Sequence, residues 1–376
     1  MLEDFERNRI SSYFSRVVDH KARDTRISTV VITHLLADRP LFLRAIASIS
    51  HLRAVLPKPK SIDPDALTES SSLWQVDKLD RRSLATADEA LSYLESRAAG
   101  ERIVLLDVGG YFAPALPQLC DRFSGEIVGV VEDTENGHRR YLMYGKPPCP
   151  VYSVARSPLK APEDYLVGQS VVFSTEALIR ARGDILYGRA AAVLGFGKLG
   201  SSVARMLHGR GVQVTVYDID PVKRTQALAQ GFATSATLGR ALAGSGIVVC
   251  ATGNLALRAD DFARVANGAY IASVTSSDDE LELDALDPLY ARESVGEAIT
   301  RYAHTGHFFY VLNDGNAVNF LHGASVGAFI FLVQAEIIAA AARLMHAPHE
   351  CAHYELPPEV RERVAATWLD YFNGAA

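Results

Sequence analysis

Apolar and polar positions along the chain fall into two successive rhythms. In the first, ISTVVITHLL, IVLLDVGGY and EIVGVVEDT are rich in Val, Ile and Leu and end in polar or glycine-containing turns, so they read as buried strands. ADEALSYLESRA, between two of them, reads as a helix, which makes the βαβ alternation of a parallel sheet covered by helices. LPKPKSIDPDALTESSSLW is rich in Pro and Ser and reads as a loop. The second rhythm starts near Tyr187. AAAVLGF, VQVTVYDI, GIVVCAT and AYIASVT read as strands, DPVKRTQALAQG as a helical connection, and HFFYVLND as a further strand. PPEVRERVAATWLDYF reads as a helix with Pro in its first turn. The pattern predicts an α/β chain of two doubly wound parallel-sheet domains, the second inserted before a helix that returns to the first.

One apolar run needs separate treatment. GASVGAFIFLVQAEIIAAAARLM, Gly323 to Met345, matches the length of a membrane span, which needs about 20 residues. Gln334 and Glu336 lie in its middle and no second span accompanies it, so a buried helix between domains is expected and no membrane partner. The chain has 376 residues, enough for two domains, and 48% of them are apolar, enough for a sizeable core. A net charge of −6 argues against a nucleic-acid partner, which needs a basic face. Cys120, Cys149, Cys250 and Cys351 are scattered, with no CxxC pair. The N-terminus MLEDFERNRISSYF is acidic and polar, unlike a signal peptide, so a cytoplasmic location is expected.

The densest chemical signal is AAVLGFGKLGSSVARML. Gly195, Gly197 and Gly200 fit G-x-G-x-x-G between a strand and a helix, and Asp218 closes the following strand about 20 residues on. The first glycine permits a tight turn, the second lets backbone approach a pyrophosphate, and the third lets the helix pack on the strand with its N-terminus toward the anion. Gly195, Phe196, Gly197, Lys198, Leu199 and Gly200 are therefore expected to hold a dinucleotide. Asp218 would accept from the adenosine-ribose hydroxyls and repel a 2′-phosphate, favouring NAD over NADP, although Lys223 and Arg224 stand close by. Thr252, Gly253 and Asn254, in CATGN, are small residues suited to the passage of the nicotinamide half.

The order of motifs resembles the S-adenosylhomocysteine hydrolase family from about Ile27 to Phe372. LDVGG resembles its LDDGG, VEDTENG its SEETTTG, GFGKLG its GYGDVG and YDIDP its TEIDP. ATGN stands where TTTGC stands, DDELEL where DVEID stands, and LNDGNAVNF where LAEGRLVNL leads into a long hinge helix. The resemblance implies a substrate domain at 1–177, an NAD-binding domain at 178–320, and a hinge helix with C-terminal return at 321–376. It implies NAD held also by Val274, Thr275 and Asn319, with Thr134, Glu135 and Asn136 lining the nicotinamide side. It further implies oxidation of a nucleoside 3′-hydroxyl, elimination at C5′, water addition and reduction back, in a homo-oligomer, dimer or tetramer.

The chain departs from that family where catalysis is concerned. The positions of the family's lysine and aspartate fall on Tyr165 and Gln169, with Lys160 the nearest lysine. Its two further histidines correspond to Ser276 and Val326, its HMT threonine to Leu36, and the second acid of LDDGG to Val108. The sequence ends at DYFNGAA, where the family continues into a lysine- and tyrosine-bearing tail, so looser NAD binding is expected. His34, Asp107, Asp133 and His322 are the remaining catalytic candidates, each of which is otherwise a local hydrogen-bonding or capping residue. His346, His349, Cys351 and His353 cluster in HAPHECAHYELPP, but their spacing fits no standard zinc pattern and no metal is expected. The expected activity is an NAD-dependent reaction on a nucleoside or related sugar-bearing molecule: elimination, dehydration, epimerisation or net oxidation. Two alternatives stay open: a non-catalytic NAD-binding regulatory homologue, and a dehydrogenase of the 2-hydroxyacid or alanine type.

Overall fold

The computed structural model describes residues 3–18, 26–275, 280–323 and 326–373. Ser276 and the first two residues of DDELEL lie outside the described residues. The chain forms two compact units, one of residues 1–160 with 328–376 and one of residues 161–327.

The first unit is built on five strands: β1 (Ile27–Leu35), β2 (His51–Ile62), β3 (Arg102–Asp107), β4 (Glu126–Glu132) and β5 (Val151–Ser153). They are joined by the short strand His353–Tyr354 in the order His353–Tyr354, β5, β4, β3, β1, β2, all parallel. Burial of β1 at all positions but one reflects a sheet covered on both faces. The chain steps from β1 to β2 on one side, then returns to build β3, β4 and β5 on the other. The order therefore reverses between β1 and β3, the point where open α/β sheets bind ligands beyond their strand ends.

One expectation is overturned here. The Pro- and Ser-rich stretch read as loop contains the end of β2 and the helix Pro64–Leu73. β2 is the edge of its sheet, where Pro57 and Pro59 lack only a donor that a central strand would need. Asp63 then caps the helix by accepting from the Ala66 amide at 2.9 Å, with Pro64 in the first turn.

The long apolar run folds as the helix Ile330–His346, with 14 of its 17 residues buried, and belongs to the core of the first unit. By length and composition it passes as a span, but the two polar residues in its middle are paired inside protein. Gln334 donates to Asp38 at 2.7 Å and Glu336 accepts from Arg361 at 2.9 Å.

The second unit contains β6 (Ala190–Leu194), β7 (Gln213–Tyr217), β8 (Ala233–Thr234), β9 (Ile247–Cys250), β10 (Tyr270–Ser273), β11 (Ala291–Gly296), β12 (Ile299–His304) and β13 (His307–Leu312). Six parallel strands run β8, β7, β6, β9, β10, β13, the order of a dinucleotide-binding sheet, with its reversal between β6 and β9. β12 and β11 extend it antiparallel beyond β13, two strands that the hydrophobic pattern did not reveal. β11 is almost wholly exposed, so it carries no apolar run to read. Both domains are thus α/β and doubly wound, as expected.

Candidate functional site

In the second unit the three glycines have three separate reasons for lacking a side chain. Gly195 follows β6 with φ at 91°, a left-handed value, and a Cβ there would meet the Ala251 carbonyl oxygen at 2.6 Å. Gly200, in the first turn of the helix Lys198–Gly209, would put a Cβ 2.0 Å from the Gly195 oxygen. Gly197 would meet nothing within 4 Å. The protein's own packing does not require glycine at 197; the open space at the helix N-terminus is what a pyrophosphate would occupy.

Asp218 lies just beyond β7. Its two carboxylate oxygens accept from the Phe196 amide at 2.7 Å and the Asp220 amide at 2.9 Å, which fixes the group beside the glycine turn. Each oxygen keeps a lone pair for a ribose hydroxyl. Arg224 donates to the backbone carbonyls of Asp218 and Ile219, and Lys223 to Gln226 at 3.3 Å, so both nearby cations have partners within the protein. That arrangement favours NAD.

The turn after β9 is held by a residue that sequence reasoning missed. Glu280, 1% exposed, accepts from the Thr252 and Gly253 amides at 2.9 and 2.8 Å and from the Thr252 hydroxyl at 2.7 Å. Thr275 Oγ1 donates to it at 3.3 Å. Burial pushes the Glu280 carboxyl up, against the pull of these donors. Its signal lay in DDELEL, quoted for resemblance alone. Asn254 donates its amide to Thr252 Oγ1 at 3.0 Å, and Val274 is buried at the end of β10. Leu199 is half-buried, and exposed Lys198 pairs with Asp164 at 3.3 Å. Asn319 is buried, and its Oδ1 has no hydrogen-bond partner among the described residues. An orphaned buried acceptor costs about 1–3 kcal/mol unless a donor arrives, and a carboxamide supplies one. The glycine turn, the Asp218 carboxylate beside it and the unpartnered Asn319 Oδ1 together fit NAD.

His322 also belongs to this unit. It is exposed, with Nδ1 2.9 Å from Ser174 Oγ and its ring edge-on to Phe173. Tyr165 and Gln169 lie exposed on the helix Ala161–Ala181, and Val326 is buried.

In the first unit the strand ends gather His34, Lys58, Asp107, Glu132 and Asp133. The register of β1 and β3 pairs Ile32 with Asp107, which brings His34 and Asp107 to the reversal point. Asp107 is fully buried and accepts from the Tyr111 and Phe112 amides at 2.8 and 2.9 Å and from the Tyr141 hydroxyl. Burial pushes its carboxyl up, against those donors. Glu132, also fully buried, accepts from the amides of Gly109, Asp133 and Thr134 and from the Thr134 hydroxyl. Burial, with Asp107 and Asp133 adding, pushes it up to about 8.

Lys58, on β2, is 7% exposed, in the segment misread as loop. Burial and the nearby Arg81 bring its amine down to about 8, against the pull of Asp133, Glu132 and Asp107. His34, with Nδ1 2.5 Å from Ser61 Oγ, is held well below the usual imidazole range by burial, then by Lys58, Arg39 and Lys160. Lys160 is buried and belongs to this group. Thr134 caps the helix Glu135–Leu142 through the Gly137 amide at 3.0 Å, and Glu135 is ion-paired with Arg139 and Arg156. Asn136, half-buried, follows on that helix. The structure thus brings together His34, Asp107 and Asp133 in the first unit and places His322 in the second. His349 hydrogen-bonds Tyr152 at 3.0 Å, and Cys351 donates to the Pro148 carbonyl.

Comparison with known proteins bears on both units. Residues 165–325 match the S-adenosyl-L-homocysteine hydrolase NAD-binding domain. The S-inosyl-L-homocysteine hydrolase of Methanopyrus kandleri is 28% identical over 271 residues, 68% of this chain; the match spans 61% of that relative's length. Among solved structures, a putative D-3-phosphoglycerate dehydrogenase from Ralstonia solanacearum aligns over 85% of this chain and 98% of its own, with 14% identity and a TM-score of 0.44. The pyruvate reductase of Chlamydomonas reinhardtii aligns over 86% and 97%, with 14% identity and a TM-score of 0.42. By these matches the chain is similar to S-adenosylhomocysteine hydrolases, and residues 165–325 match that family's NAD-binding domain, with NAD as the cofactor.

Proposed function

We propose that the protein is an NAD-dependent enzyme that acts on a nucleoside or related sugar-bearing molecule through transient or net oxidation of a ribose hydroxyl. One observation carries this reading. A chain with an NAD cradle in one unit also gathers His34, Lys58, Asp107 and Asp133 at the strand-end reversal point of the other. Similarity to a hydrolase named for a nucleoside thioether supports the substrate class.

Bound NAD supplies a hydride acceptor. In the cradle, Asp218 would hold the adenosine ribose, the Gly197 turn the pyrophosphate, and Asn319 would orient the carboxamide. In the first unit, fixed carboxylates of Asp107 and Glu132 shape the strand ends, while Asp133 and His34 are candidates to bind sugar hydroxyls and exchange protons. The outcome is elimination, dehydration, epimerisation or net oxidation, in a cytoplasmic homo-oligomer. To test this, ligands that co-purify are released by denaturation and identified by mass spectrometry, then the native protein is incubated with inosine, adenosine and their homocysteine thioethers. Bound NAD, with reduced-nicotinamide absorbance or a new product from one of them, is the expected result. Bound NAD with no absorbance change and no product from any of them would favour the non-catalytic alternative.

A further inference from the structure

We propose that Lys58 is a catalytic residue that exchanges a proton with the substrate's reacting hydroxyl at the carboxyl ends of β1 to β4. The proposal rests on the reading given above and names the group that performs its proton transfer. Four observations support it.

Lys58 sits near the end of β2, next to the strand whose end forms one side of the reversal point. It is buried among charged groups, with Asp133, Glu132 and Asp107 pulling on its amine.

Two of the three neighbouring carboxylates are committed elsewhere. Asp107 takes two amides and a phenol, and Glu132 three amides and a hydroxyl, so their lone pairs secure local backbone. Asp133, ahead of both, pulls hardest on the Lys58 amine. Backbone also leaves room for the amine: a Cβ on Gly109 would lie 3.3 Å from Nζ.

The groups facing Lys58 come from every neighbouring element: Asp107 from β3, Glu132 and Asp133 from the end of β4, Arg81 from the segment before the helix Ala87–Ala98, and His34 from β1. Burial leaves part of the amine neutral near physiological pH, the state a base requires. In the step itself the substrate O–H bond breaks, its electron pair stays on oxygen, and the proton forms the third N–H bond of the ammonium. The reverse transfer restores the hydroxyl.

The test uses the NAD-loaded full chain with inosine and adenosine as probes and follows reduced-nicotinamide absorbance across pH. Lys58→Met is expected to lower the nucleoside-dependent rate by about 10²–10⁴-fold. NAD content per chain should be unchanged. The wild-type rate should show a limb near pH 8 that Lys58→Arg moves upward, because guanidinium does not titrate there. Ethylamine should restore activity to Lys58→Ala by at least about tenfold, a rescue that loss of a structural contact would not permit.

If Lys58→Met keeps the wild-type rate and pH limb, the assignment is overturned and the functional reading stands. A folded, NAD-loaded Lys58→Ala that no primary amine rescues also overturns it. If the wild type binds NAD but responds to no nucleoside, the functional reading fails and the proposal fails with it.

Discussion

An alanine methyl at position 200 would arrive 2.0 Å from the carbonyl oxygen of Gly195, whereas one at position 197 would meet no protein atom within 4 Å. Substitution therefore separates the two glycines. Gly200→Ala is expected to cost about 1–3 kcal/mol of stability and lower the melting temperature with or without cofactor. Gly197→Ala should melt like the wild type when NAD-free, yet bind NAD at least tenfold more weakly, about 1.4 kcal/mol, by calorimetric titration. Asp218→Ser should narrow the preference for NAD over NADP by about tenfold or more, because it removes the charge that repels a 2′-phosphate. The glycine turn and the place of Asp218 beside it were legible in the chain because both are local: a turn, a helix start and the end of the next strand. Lys58 was hidden by its neighbours, since Pro57 and Pro59 make an edge strand look like a loop. Glu280 was hidden because its four donors come from two turns more than twenty residues apart and beside it.

At the scale of elements, the ends of β3 and β4 are joined through Glu132, and the helix Glu135–Leu142 passes so close that a Cβ on Gly137 would sit 1.9 Å from Glu132 Oε2. Gly137→Ala must displace that carboxylate and free the amides of Gly109, Asp133 and Thr134. A loss of about 2 kcal/mol or more in urea unfolding is expected. Glu132 and Lys58 also set opposite pH windows. The folded value of Glu132, about 8, lies above its ordinary 4.5, so its contribution to stability is complete below 4.5 and is lost as pH rises toward 8. The folded value of Lys58, also about 8, lies below its ordinary 10.5, so its contribution is complete above 10.5 and is lost as pH falls through 8. Unfolding free energy measured from about pH 5 to pH 8 should fall more steeply in the wild type than in Glu132→Gln. The parallel strands announced themselves as apolar runs. β11 did not, because an edge strand that is almost wholly exposed carries little hydrophobic contrast, and β12 beside it is short and mixed in burial.

Across the whole molecule, each unit has its own sheet and its own core. Scanning calorimetry should resolve two transitions, with NAD at 100-fold its Kd raising the one that belongs to residues 161–327 by about 2.7 kcal/mol. Deleting 328–376 should abolish the other transition, because the helix Ile330–His346 supplies the centre of the first unit's core. The two-domain plan was legible as two separate rhythms of strands, while the chemistry of the first unit depended on which strand ends the topology brings together. The discontinuity of that unit has a consequence for synthesis. A ribosome releases residues 1–160 long before the helix that completes their core, and the whole cofactor-binding segment emerges in between. Vectorial folding then favours an order in which the later segment closes first and can load NAD on the nascent chain, while the earlier one waits, open to chaperones, for its last helix.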